Sequence, residues 1–299
     1  MKLASRTRSA ARACTLALTA ALVTGLPAAA GDLPEIRKAG VIRHLGIPYA
    51  NFVTGAGDGM DVEIMQLFAK DLGLRYEYVK TDWGTVVEDL VGRKVKAKGD
   101  DVELGETTPV RGDLVANGFT ILPWRRKVVD FSTPTFPSQI WLVARADSKV
   151  KPIRPSGAIE GDIATVRALI KGKKVLALKK TCLDPDLYKL YETGAEVVLF
   201  NGQLNELAPA LVNNDAELTI LDVPDALIAL DKWPGKIKIV GPISGKQEMG
   251  VGFPKGTPQL REAYNAFLAR LKADGTYDRI VKKYFPTAYF YFPEFFKRK

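Results

Sequence analysis

Cysteine and histidine are almost absent from this 299-residue chain, which has two cysteines and one histidine. One cysteine, Cys14, falls in a leader that the pattern of the first 30 residues marks for removal, so the remaining Cys182 has no intrachain disulfide partner. With His44 the sole imidazole, a His/Cys zinc site is excluded, and a Ser-His-Asp triad could use only this one residue. His44 lies on an early apolar strand, where a core or strand-end role is expected. Long apolar runs are missing too. The longest, from Cys14 to Leu26, falls short of the roughly 20 residues a membrane span needs.

That run has a different meaning. Lys2, Arg6, Arg8 and Arg12 precede it without an acid, and Ala28-Ala29-Ala30 follow it. A basic start, a short apolar stretch and an A-x-A exit form a cleavable export signal, with cleavage expected after Ala30 and a periplasmic destination. Loss of its four cations takes the formal net charge from +9 to +5 on a mature chain of 269 residues. So modest a surplus serves solubility and gives no reason to expect a nucleic-acid partner.

What remains alternates between strand and helix patterns. Strands are expected at 41–45, 75–79, 114–116 and 140–144, with helices at 61–72 and 86–91. A connector rich in proline, glycine and charge covers 149–161. Strands then fall at 175–178, 196–200, 218–221 and 237–240, interleaved with helices at 184–191, 204–212 and 223–230. A strand at 249–253 and helices at 259–273 and 278–284 close the series. This order predicts parallel sheets covered by helices. The last elements are too short for a third domain, so they are expected to return to the first. The division is a signal peptide (1–30), lobe 1 (31–145 and 246–285), lobe 2 (146–245) and a C-terminal tail (286–299). Arg93–Thr108, alternating lysines with acids, reads as a solvated hairpin or loop. The tail carries six aromatics in the eight positions 289–296, then Lys297-Arg298-Lys299. It reads as a strap across lobe 1 or as a docking surface for a second exported protein or a membrane.

Residues Arg111–Ser132 read R-G-D-L-V-A-N-G-F-T-I-L-P-W-R-R-K-V-V-D-F-S. This resembles the pattern G-x-x-D-x-x-x-x-x-x-T-x-T-P-x-R-x-x-x-V-D-F-S of the bacterial solute-binding proteins, family 3, the polar-amino-acid receptors of ABC importers. G-V-I-R-H-L-G-I-P-Y-A-N-F resembles that family's first strand and aromatic loop, and G-M-D-V-E-I-M-Q-L-F-A-K-D-L-G-L its first helix. G-K-K-V-L-A-L-K-K-T resembles the opening of its second lobe, and A-F-L-A-R-L-K-A-D-G-T-Y-D-R-I-V-K-K-Y-F its closing helices. The resemblance implies an α/β fold of the type II periplasmic-binding-protein kind, two lobes joined by a two-segment hinge. It further implies capture of a small polar solute, an amino acid or small carboxylate, for a membrane ABC permease. No cofactor, metal or catalytic residue is expected.

The implied site residues suit that chemistry. A nearly dry carboxylate needs a fixed cationic fork, which arginine supplies; Arg125 matches the family's carboxylate anchor. Thr120 matches a helping hydroxyl, and Asn117-Gly118 the segment facing the ammonium and side chain. Asp222 matches the acid that meets the ammonium from the other lobe, although a plain helix cap would also place an aspartate there. Thr181, read as the start of a helix, would offer free N–H groups to an anion. Tyr49 and Phe52 match the covering aromatic loop, with Trp83 as a further wall or core ring. Two departures bear on the ligand. Leu122-Pro123-Trp124-Arg125 stands where the family has T-P-E-R, and Lys179-Lys180 where it usually has a glycine before the threonine. Together they admit a more acidic ligand. Two other roles are open to such a chain: an accessory or sensory protein of the same fold, and a dehydratase of cyclic acids. For the latter, Glu88, Glu103 and Glu106 belong to no catalytic motif.

Overall fold

The computed structural model describes residues 31–297; the export signal expected at 1–30 lies outside them. Two five-stranded mixed sheets, each flanked by helices, form the two lobes.

Lobe 1 opens with α1 (Leu33–Ala39), capped by Asp32, and β1 (Val41–Gly46). Next come α2 (Met60–Leu72), ended by left-handed Gly73, β2 (Arg75–Lys80) and α3 (Val86–Val91). A hairpin of β3 (Arg93–Lys98) and β4 (Asp101–Thr107) projects before β5 (Leu114–Val115). The charged segment therefore is a hairpin, pinned by Glu88 accepting from the Val95 N–H and from Lys94, and by the Lys127–Asp101 ion pair. Pro123 starts α4 (Pro123–Val128), and β6 (Val129–Phe131) follows. A proline at the first helical position has no N–H to lose.

The chain crosses to the second sheet through β7 (Phe136–Ser138), so that β8 (Ile140–Arg145) pairs antiparallel with both neighbours inside lobe 2. The expected division runs lobe 1 to 145, which would place the crossover after this strand. It lies earlier because five consecutive buried apolar residues, Ile140–Ala144, suit the centre of a sheet covered on both faces. Lobe 2 continues with α5 (Ile159–Leu169) and β9 (Lys174–Ala177), then β10 (Glu196–Leu199) and α6 (Leu207–Val212). It is completed by β11 (Leu218–Asp222), α7 (Val223–Lys232) and β12 (Ile237–Pro242). Helix α5 starts inside what the composition marked as a connector. The expected helix at 184–191 is instead two short 3-10 turns, Pro185–Tyr188 and Leu190–Thr193.

The return to lobe 1 is broken where one strand was expected. β13 (Gln247–Met249) pairs with β7, while β14 (Gly252–Pro254) enters the first sheet between β5 and β6. Between them the Gly250 N–H turns to the Phe119 carbonyl and the Val251 N–H to Ser132 Oγ. Helices α8 (Pro258–Ala273) and α9 (Thr276–Tyr284) pack on this lobe. The tail forms two single turns, α10 (Ala288–Tyr291) and α11 (Pro293–Phe296). It is a strap across the crossovers: Phe296 meets Phe136 of lobe 1, and Tyr291 and Phe292 meet Trp141 of β8. Only Phe290, 82% exposed, points fully outward.

His44 is a core residue. It is buried between the Tyr76 hydroxyl at 2.8 Å and the Ala116 carbonyl at 2.5 Å, and burial lowers its pKa to about 4.

Candidate functional site

Lobe 1 brings its part of the site from three directions. β5 runs out into Asn117-Gly118-Phe119-Thr120. Gly118 has φ +62°, and a Cβ there would sit 2.4 Å from the Phe52 ring and 3.0 Å from that of Tyr49. Only glycine lets this turn press against the aromatic loop. Its N–H donates to the buried Asp61 at 2.7 Å, which fixes the turn to α2. In the aromatic loop, Tyr49 stacks on Phe52 and meets the edge of Trp83. Phe52 packs onto Phe136 and Phe285, which makes it a core ring. Tyr49 reaches across, its hydroxyl donating to Asp222 of lobe 2, and beside it the Ala50 N–H donates to, and the Pro48 carbonyl accepts from, Asn205.

Arg125, 1% exposed, sits in α4. Its Nη1 donates to the Thr120 carbonyl at 2.9 Å and its guanidinium covers the Phe119 ring at 4.1 Å. Among the described residues no carboxylate lies within ion-pair distance, and its Nε has no partner. Burial lowers its pKa to about 10, against the smaller opposing influence of Cys182 and Tyr188. Even so it is a cation at any physiological pH.

From lobe 2, Asp222 ends β11 and caps α7, accepting from the Asp225 N–H at 3.4 Å. Its Oδ2 accepts from Tyr49 and from the Cys182 thiol, the latter at 3.3 Å. Burial pushes the Asp222 carboxyl upward, opposed by these donors. Cys182 is raised well above the usual thiol value, chiefly by burial and then by Asp222, so it remains a protonated donor. Tyr188 donates to the Cys182 carbonyl at 2.6 Å and accepts from Gln247 Nε2 at 3.3 Å, tying lobe 2 to β13.

Of the residues picked from sequence, Tyr49, Thr120, Arg125 and Asp222 come together around Cys182, and Asn117 and Gly118 adjoin them. Phe52 supports from behind. Thr181 does not offer a helix start: its hydroxyl donates to the Leu178 carbonyl and accepts from the Leu183 N–H, and Asp184 caps the short turn that follows. The reading missed Cys182, Tyr188, Gln247 and Asp225. Among the described residues, six of the seven buried side-chain atoms lacking a hydrogen-bond partner belong to Asn117, Arg125, Ser138, Asp225 and Gln247. All five residues stand at or beside the lobe junction. Unpaired buried polar atoms are rare in folded proteins and costly; their concentration here marks the place where a polar solute would complete the set. Glu88 and Glu103 pair instead with surface lysines. No cluster of metal-ligating side chains occurs among the described residues, and no described helix is long and apolar enough to cross a membrane.

A two-lobed α/β clamp with its buried polar groups at the junction is the architecture of solute receptors. The chain belongs to the bacterial extracellular solute-binding proteins, family 3, whose model matches residues 105–287. It is 26% identical over 227 residues to the L-cystine-binding protein TcyJ of Escherichia coli (strain K12), covering 76% of this chain and 74% of that one. Over 288 residues, 90% of this chain and 95% of the relative, it is 25% identical to the lysine/arginine/ornithine-binding periplasmic protein of the same organism. Among solved structures, an ancestral arginine-binding protein bound to arginine matches with TM-score 0.64 and 25% identity, covering 82% of this chain and 98% of that one. Holo ArgBP from T. maritima matches with TM-score 0.62 and 25% identity, covering 85% and 99%.

Proposed function

We propose that this protein is an exported receptor that captures a small carboxylate-bearing solute, an amino acid or a small organic acid, and presents it to a membrane ABC permease. The observation that carries the reading is Arg125, buried at the lobe junction with no counter-anion and surrounded by other unpaired polar atoms. A buried unpaired guanidinium is costly unless an anion joins it. The anion that fits a guanidinium fork is a carboxylate. Thr120 lends its carbonyl to hold the fork, Asn117 and Gly118 form the adjoining wall, and Tyr49 and Asp222 close it from above. Closure follows from contacts available only when both lobes meet the solute. Relatives named as binding proteins support a receptor rather than an enzyme.

The test is a thermal-shift screen of the purified protein against amino acids and small carboxylates. A solute at a hundredfold excess over its Kd should stabilise by about 2.7 kcal/mol. Arg125→Met should erase that shift, and an undiminished shift in this variant would overturn the reading.

A further inference from the structure

The acid and the cation at the junction are not equivalent. Arg125 Nε is unpartnered and no protein carboxylate pairs with its charge. Asp222, 0% exposed, is already engaged by the protein: Tyr49 and Cys182 donate to Oδ2, and the Asp225 N–H reaches Oδ1 at 3.4 Å. The Tyr49 hydroxyl comes from the opposite lobe. Closure itself therefore delivers a protein donor to the position where a solute's ammonium would otherwise be met.

Tyr49 is also held there. Its ring is buried between the stacked Phe52 and the edge of Trp83, and Gly118 lies close against it. Swinging it away would empty packed space beside Phe52, which is itself locked against Phe136 and Phe285. The other nearby acid, Asp225, has an unpartnered Oδ2. Burial and the Asp222 charge raise its carboxyl well above the ordinary range, which disfavours a second anion beside Asp222. The remaining unpaired atoms are an amide oxygen of Gln247, both amide atoms of Asn117 and the Ser138 hydroxyl. These neutral groups match hydroxyl or carbonyl oxygens. None of them offsets the desolvation of an ammonium, which in a buried site costs several kcal/mol unless an anion is free to pair with it.

We infer that the cleft selects a carboxylate with a neutral oxygen on its α-carbon, a 2-hydroxy or 2-oxo acid, over the matching α-amino acid, because Tyr49 already occupies the Asp222 carboxylate. This rests on Arg125 being the carboxylate anchor of the proposed receptor. Tyr49 is then a specificity-determining residue: an ammonium must displace its hydroxyl to reach Asp222 Oδ2, whereas the guanidinium that any carboxylate uses is left open.

The experiment is calorimetric titration with matched triads that differ only at the α-carbon: alanine, lactate and pyruvate; glutamate, 2-hydroxyglutarate and 2-oxoglutarate; phenylalanine, phenyllactate and phenylpyruvate. In the triad that binds best, the hydroxy or oxo acid should bind at least about tenfold more tightly than the amino acid, some 1.4 kcal/mol. Tyr49→Phe keeps the stacked ring and frees Asp222, and should move that ratio about tenfold back towards the amino acid. An amino acid that binds the unaltered protein as tightly as its hydroxy and oxo partners overturns the inference, as does an unmoved ratio in a folded Tyr49→Phe protein. Arg125→Met separates the two levels of argument. If it abolishes binding while amino acids are preferred, only the ligand class fails; if it leaves binding intact, the receptor site itself is misplaced. Silence of all three triads counts against both.

Discussion

The β3–β4 hairpin and the lobe junction treat charge in opposite ways. On the hairpin, Lys98 pairs with Glu103, Lys94 with Glu88 and Lys127 with Asp101, with all of these side chains but Glu88 at least half exposed. Such exposed pairs contribute little, because water already solvates each partner. At the junction, Arg125 is buried without a carboxylate, and Asn117 is buried with neither amide atom paired. A chain selected for stability alone would match or delete these groups. The hairpin has its charges neutralised where that gains least, and the junction leaves them open where that costs most. The cost is explicable only if something outside the chain completes the set.

The largest expected effect breaks or confirms that contrast directly. Arg125→Met should abolish solute binding, yet leave the ligand-free protein as stable as before or more so, since an unpaired buried charge is exchanged for an apolar chain of similar length. Denaturant melts without solute check it; a clear loss of stability would show Arg125 to be structural.

Next in size is a pair of buried groups that titrate in opposition. His44 has its folded pKa lowered from 6.5 to about 4. Between those values the unfolded chain binds the proton first, so this term weakens the fold as pH falls from about 6.5 to 4, by about 3 kcal/mol. Asp61 has its folded pKa raised from 3.8 to about 7 by burial, against the opposing Gly118 hydrogen bond. Its proton is held by the folded state, so this term strengthens the fold as pH falls through about 7 towards 4, by about 4 kcal/mol. The two largely cancel over the shared window. Asp61→Asn should therefore unmask an acid sensitivity below about pH 6.5, and His44→Gln a gain of stability on acidification, each read from melting temperature against pH. The smallest effect belongs to the hairpin: Glu103→Ala should leave both melting temperature and binding unchanged.

The parts of this architecture visible in the sequence are those set by local pattern. Helix α2 follows from its apolar spacing and the glycine after it, while Arg125 and Asp222 are singled out by the family resemblance. Helix α5 was hidden because it starts without a side-chain cap, directly after a proline- and glycine-rich stretch. Thr181 looked like a helix start, but its hydroxyl is spent inside its own loop. Cys182, Tyr188 and Gln247 could not be read at all. Each acquires its role through a partner 40 or more positions away, such as Asp222 for Cys182 and Gln247 for Tyr188. A lone cysteine in the sequence says nothing about a carboxylate that folding will bring to it.

The aromatic tail has a mechanical consequence. Phe296 leans on Phe136 before the first crossover, while Phe292 lies face to face with Trp141 just after it. Rotation of one lobe against the other must slide Trp141 beneath Phe292 or drag the last two helical turns along. The tail thus bridges the pivot, and any swing of the lobes has to rearrange the Phe292–Trp141 contact.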